Sequence, residues 1–211
     1  LVVVASELED ANRATALWGL AAGVARLEPE LQQRLVLFAE ELEDPEDCVL
    51  VLRGFGTGVA RLAPELQQRL LTVADRVDEP EYRALALSAL GTGITGFALE
   101  LQRDLVGHVE RLDDPEHCAW ILEAVGAGVA RLLSDLPQRV IELAERLDPL
   151  HRSRALETLA VGVAELPSNL QKHLVDLAES LENPEHCVSA LRGFGTGVAR
   201  LAPELQQRLL N

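Results

Sequence analysis

Leu52-Arg-Gly-Phe-Gly-Thr-Gly-Val-Ala-Arg-Leu-Ala-Pro-Glu-Leu-Gln-Gln-Arg-Leu-Leu71 occurs twice in this chain, the second time unchanged at Leu191–Leu210. Weaker copies lie between the two. One glycine marks the register at Gly23, Gly58, Gly93, Gly128, Gly162 and Gly197, with spacings of 35, 35, 35, 34 and 35 residues. A second marker is an acid or amide followed by proline: Asp44-Pro45, Glu79-Pro80, Asp114-Pro115, Asp148-Pro149 and Asn183-Pro184, with Asp10-Ala11 in the first copy. A fixed period of this length is the signature of a repeat architecture.

Each period reads as two helices. Asp44 suits an N-cap and Pro45 a first helical position. Cys48, Val51, Leu52, Phe55, Val59 and Leu62 then form one apolar helical stripe. Pro64 restarts the chain, and Leu66, Leu70, Val73, Ala74 and Val77 give the face of a second helix. No period-two run or Asn-Gly turn signals a strand. One such helix pair cannot bury its apolar face alone, whereas stacked pairs share a continuous core. The expected fold is all-α, an α-solenoid: a superhelical array of two-helix repeats. It spans 1–211 as a single array, with a partial unit 1–10, units at about 11–45, 46–80, 81–115, 116–149 and 150–184, and a partial unit 185–211. The sequence has no Met, 1–10 matches a second helix, and neither end carries a polar capping repeat, so the reading is a fragment of a longer array or one with end-to-end contacts.

Composition narrows the function classes. The 211 residues hold 34 Asp+Glu against 19 Lys+Arg, a formal net charge of −15, and 48 % are hydrophobic, too apolar a chain for disorder. No apolar run is long enough to span a bilayer, and the apolar opening lacks the basic flank of a signal peptide. Acidity weighs against a phosphate-backbone binder. Lys172 is the single lysine, consistent with a GC-rich genome or with avoidance of lysine modification.

Catalytic and cofactor chemistry finds no foothold. Gly54-Phe-Gly-Thr-Gly58 lacks the Gly-Lys-Ser/Thr of a phosphate loop, and its reduced forms in the other units read as small residues that let helices approach. Cys48, Cys118 and Cys187 share one repeat position, which Arg13, Arg83 and Arg152 fill in alternate units. Two units apart, they lie beyond disulfide reach, which favours free thiols in a reducing compartment. His117-Cys118 and His186-Cys187 have no zinc-ligand spacing around them, and no histidine neighbours a nucleophile motif. No catalytic, metal or cofactor residue is assigned. Carboxylates crowd one turn (Glu40, Glu41, Glu43, Asp44), while the other turn carries Arg26, Arg61, Arg131 and Arg200. Glu65 and Arg69 are spaced for a surface i,i+4 pair.

The positions that vary most are three on each first helix, spaced i, i+3, i+6 and hence along one helix face. By unit they are Asn12/Thr15/Trp18, Asp47/Leu50/Arg53, Tyr82/Leu85/Ser88, His117/Trp120/Glu123, His151/Arg154/Glu157 and His186/Ser189/Arg192. Both tryptophans and the single tyrosine lie among them, and aromatic residues with Arg are the types enriched at binding hot spots. The candidate partner-binding residues are Trp18, Arg53, Tyr82, His117, Trp120, Glu123, His151, Arg154, Glu157, His186 and Arg192.

The whole chain resembles the helix-turn-helix repeat class of HEAT, armadillo and tetratricopeptide arrays, and its unit length is nearest the last. Pro184-Glu-His-Cys-Val-Ser-Ala190, the Gly-rich centre and Gln206-Gln-Arg-Leu-Leu210 are similar in outline to TAL-effector repeats. Their paired base-specifying residues and Gly-Gly-Lys-Gln backbone segment do not occur here. Few lysines with Arg/Leu-rich repeats also look similar to secreted effectors of GC-rich bacteria. The leading expectation is a non-enzymatic protein–protein interaction scaffold. A nucleic-acid-binding array and a self-assembling structural array are the alternatives. No membrane partner is expected.

Overall fold

The computed structural model describes residues 10–195 and 197–210 and is all-α, with no strand among the described residues. First helices are α1 (Asp10–Ala21), α3 (Pro45–Phe55), α5 (Pro80–Gly91), α7 (Pro115–Gly126), α9 (Pro149–Leu159) and α11 (Pro184–Phe194). Second helices are α2 (Pro29–Glu40), α4 (Pro64–Asp75), α6 (Leu99–Glu110), α8 (Leu136–Glu145), α10 (Ser168–Glu179) and α12 (Pro203–Leu210). Each repeat is thus two helices, with Pro at the first turn of most. The Asp44, Asp114, Asp148 and Asn183 side chains accept backbone N–H groups of the next turn, satisfying donors that no helical carbonyl reaches. The sequence stripe from Cys48 to Leu62 is not one helix. α3 stops at Phe55, and a 3-10 segment, Gly56–Arg61, carries Val59 into the core. Gly56 turns the chain there at φ +42°, a conformation that a Cβ disfavours. Shorter 3-10 segments follow α1, α5, α7 and α11.

The chain forms two compact units, Leu1–Leu105 and Val106–Asn211, with the dividing point inside α6. In the first, α1 packs on α3 and α3 on α5, while α2 packs on α4. In the second, α7 packs on α9 and α9 on α11, with α8 on α10 and α10 on α12. Like stacks on like, the packing rule of a solenoid. The apolar stripes predicted for α3 and α4 are all buried. Close approach explains the glycine at one first-helix position: a Cβ on Gly54 would sit 2.6 Å from the Trp18 carbonyl oxygen, and one on Gly193 would run into the Glu157 carbonyl.

The repeated segment shows what stacking contributes. Leu52 is 0 % exposed beneath α5, whereas its twin Leu191 is 39 % exposed; Val49 is 5 % exposed and its counterpart Val188 51 %. From each leucine onward the twenty-residue sequence is the same, and what Leu52 has over it is the following first helix.

Three polar devices tie neighbouring elements. A glutamine on the second helix donates its amide to one carbonyl in the preceding 3-10 segment and one just after it: Gln32 to Val24 and Leu27, Gln67 to Val59 and Leu62, Gln206 to Ala199 and Leu201. Pro137 takes this place in one repeat, where Ser134 adopts φ +61°. The Cys/Arg alternation is a second device. Both residue types donate to the carbonyl left open just after the preceding second helix: Cys48 to Leu42, Arg83 to Val77, Cys118 to Leu112, Arg152 to Leu147 and Cys187 to Leu181. Where the donor is Cys48, Arg76 of the following second helix reaches the same Leu42 carbonyl. Third, Arg69 does not pair with Glu65. Its guanidinium grips Glu40 of the preceding second helix with two bonds of 2.6 Å, and Arg139–Glu110 and Arg208–Glu179 repeat the rung in the second unit. The stacked helix offers a bidentate carboxylate, a stronger partner than an exposed i,i+4 one.

Candidate functional site

None of the eighteen variable first-helix positions is buried. Helical periodicity turns the stripe of Val51, Leu52 and Phe55 inward, and the i, i+3, i+6 set therefore outward. In the first unit, Trp18 is 45 % exposed although its backbone packs on Gly54. Leu50, Leu85 and Ser88 are half-buried and Arg53 is exposed. Tyr82 donates its hydroxyl to Glu46 Oε1 on α3 at 2.7 Å. That bond to a carboxylate holds the phenol pKa above its ordinary value. A shallow groove runs between α3 and α5, bounded by Glu46, Asp47, Val49, Leu50, Arg53, Tyr82 and Leu85.

In the second unit the same positions satisfy one another more fully. The His117 ring lies against Trp120, centroids 5.1 Å apart. Arg154 on α9 pairs with Glu123 on α7 at 3.0 Å. His151 Nδ1 is 2.5 Å from Asp148 Oδ2, so this histidine is engaged by the cap of its own helix. The contact lowers the Asp148 pKa. His186 has a buried Nδ1 without a hydrogen-bond partner, while Glu157 is half-exposed and Arg192 exposed. The sequence-predicted residues thus fall on the first-helix faces of each unit, some outward and some tied to neighbours.

The three cysteines are free, and burial pushes the Cys48 and Cys118 thiols up, away from the reactive thiolate. Among the described residues no group of three or more His, Cys, Asp or Glu is placed to hold a metal ion. A cleft beside Glu40, Glu41 and Glu43 is partly filled by Arg76, whose guanidinium donates to the Glu40 and Leu42 carbonyls. On the other turn, Arg26 and Arg61 line a second cleft with Thr57. No described helix is long and apolar enough to cross a membrane.

No protein-family model, curated protein or solved structure matches the chain.

The feature with no sequence signal is the groove itself. Leu50 and Leu85 read as unremarkable variable positions. They become walls only because α3 and α5 lie side by side, a pairing 35 residues apart in sequence.

Proposed function

We propose that the chain is a non-enzymatic protein-interaction scaffold. It holds a constant helical frame and presents the variable outer face of its first helices to a partner. The observation that supports this most is the division of labour along α3 and its counterparts. Positions such as Val51, Leu52 and Phe55 are buried, while the variable triplets reach solvent and include Trp18, Tyr82 and Trp120. A rigid frame loses little conformational entropy on binding, and a few aromatic or arginine anchors then supply most of the affinity. Similarity in outline to TAL-effector repeats and the scarcity of lysine fit a secreted bacterial effector whose partner is a host protein.

Affinity capture from a eukaryotic cell lysate tests the reading, with the chain and its Trp18→Ala/Tyr82→Ala/Trp120→Ala variant run side by side at low and moderate salt. Circular dichroism establishes that the variant folds. A protein held by the first and lost by the second is the expected result. Equal retention by both sinks the assignment of the face. Nucleic acid held only at low salt would move the function to backbone-phosphate binding.

A further inference from the structure

Between α3 and α5 the outer face leaves a gap among its own side chains. In the second unit, Arg154 on α9 answers Glu123 on α7, and half-buried Trp120 lies one turn before that glutamate. The same repeat positions in the first unit are Leu85 on α5, Arg53 on α3 and Leu50. A leucine offers a guanidinium nothing. Arg53 is therefore exposed, with no ion-pair partner among the described residues, and the groove between α3 and α5 stays open beside it. Its floor is Val49 and its walls are Leu50 and Leu85, all apolar. At the far end stands Glu46, oriented by the Tyr82 hydroxyl. That bond uses one of about four lone-pair sites of the carboxylate. The groove is thus acidic at one end, apolar in the middle and basic at the other.

The dimensions select a ligand. Glu46 and Arg53 are seven residues apart on one helix, about 10 Å along its axis. A helix laid in the groove presents side chains at that separation at i and i+7, with i+3 or i+4 between them. The N-terminal end of α3 carries the positive pole of its dipole, which favours a ligand helix running antiparallel.

We infer that the α3/α5 groove docks an amphipathic helical segment of a partner protein that carries Glu at i, Leu at i+3 or i+4 and Lys at i+7. The glutamate meets Arg53, the leucine enters between Leu50 and Leu85, and the lysine meets Glu46. This inference rests on the reading of the first-helix face as a binding surface and names the class of partner for one part of it.

Three fluorescein-labelled helical peptides test it, alike except at the anchors: Glu/Leu/Lys, Lys/Leu/Lys and Glu/Gln/Lys. Each is titrated by anisotropy with the whole chain, with Arg53→Glu and with Leu85→Glu, all checked for folding by circular dichroism. The chain is expected to bind the Glu/Leu/Lys peptide about tenfold more tightly than either other peptide. Arg53→Glu is expected to invert the preference between the Glu/Leu/Lys and Lys/Leu/Lys peptides. Leu85→Glu, which hands Arg53 an internal partner, is expected to weaken the Glu/Leu/Lys peptide alone. Equal affinity of the chain for the three peptides, no binding of any, or a preference untouched by Arg53→Glu would overturn the inference. Those failures leave the wider scaffold reading standing if lysate capture still depends on Trp18, Tyr82 and Trp120; loss of that dependence sinks the wider reading itself.

Discussion

Leu52 and Leu191 sit in the same twenty-residue segment, yet one is fully buried and the other 39 % exposed. The pair separates what a side chain is from where it stands. Leu52→Ala removes a methylene cluster from a packed site and leaves a cavity beneath α5, so it is expected to cost about 2–5 kcal/mol. Leu191→Ala removes the same atoms from a site already half open to water, and is expected to cost below about 1 kcal/mol. Urea unfolding of both variants checks this, and equal losses would mean that the Leu191 face is covered in solution. The cysteines divide in the same manner. Cys48 and Cys118 are buried, with thiols pushed up by desolvation, whereas Cys187 is half-exposed. Titration of the folded chain with a thiol-exchange reagent near pH 8 is expected to show one prompt equivalent, from Cys187, and two more only on unfolding. Mass spectrometry of the labelled peptides identifies each site. Prompt labelling of Cys48 would contradict the hydrogen-bonded, buried role given to it.

At the scale of elements, the repeat and its caps were legible because they depend on near neighbours in sequence. Asp44 caps the residues beside it, Pro45 needs its own φ, and the apolar stripes obey one helix's period. What was not legible depends on a second element. The break after Phe55 is such a case, because the stripe continues in phase through a 3-10 segment and periodicity alone does not see the change of geometry. The recurring Gln67 carried a signal, a polar residue repeated on an otherwise apolar helix face, but its acceptors at Val59 and Leu62 appear only once the turn is folded. Arg69 is the clearest example. Sequence spacing offers Glu65, and stacking supplies Glu40 with better geometry. The rung is expected to leave a signature in pH. Arg69 holds the Glu40 carboxyl below the usual carboxylate range, as Arg208 does for Glu179. A carboxylate with a depressed folded-state pKa stabilises the fold fully above its unfolded value, near about 4.3. That stabilisation is lost as pH falls from there through the depressed value. A carboxyl NMR titration is expected to find the Glu40 midpoint below the ordinary glutamate value, moving back toward it in Arg69→Ala. Because the pair is partly solvated, that variant is expected to lose less than about 1 kcal/mol at neutral pH. An unmoved Glu40 midpoint would break the rung assignment.

At the scale of the whole molecule the governing quantity is charge. With 34 acidic residues against 19 basic ones, carboxylates outnumber cations even if every arginine found a partner. Several arginines are already committed to contacts inside the fold: Arg69, Arg139 and Arg208 to rungs, and Arg76, Arg83 and Arg152 to backbone carbonyls. The regular rung position is even occupied by Asp104 in one repeat, adding an acid where Arg69, Arg139 and Arg208 stand elsewhere. Two salt effects then oppose each other. Added salt screens the diffuse repulsion among unpaired carboxylates, which stabilises the compact state. It also screens the rungs, but these are contacts of about 3 Å in partly buried sites, where mobile ions intervene little. Raising NaCl from about 10 to about 100 mM shortens the screening length from about 30 to about 10 Å, so it removes the long-range term first. The thermal midpoint is therefore expected to rise by about 2–4 °C over that range, equivalent to about 1 kcal/mol for a chain of this size. Differential scanning calorimetry at neutral pH measures it directly. A midpoint that falls instead would mean that the ion-pair rungs, and not the excess of unpaired carboxylates, dominate the electrostatics of this fold.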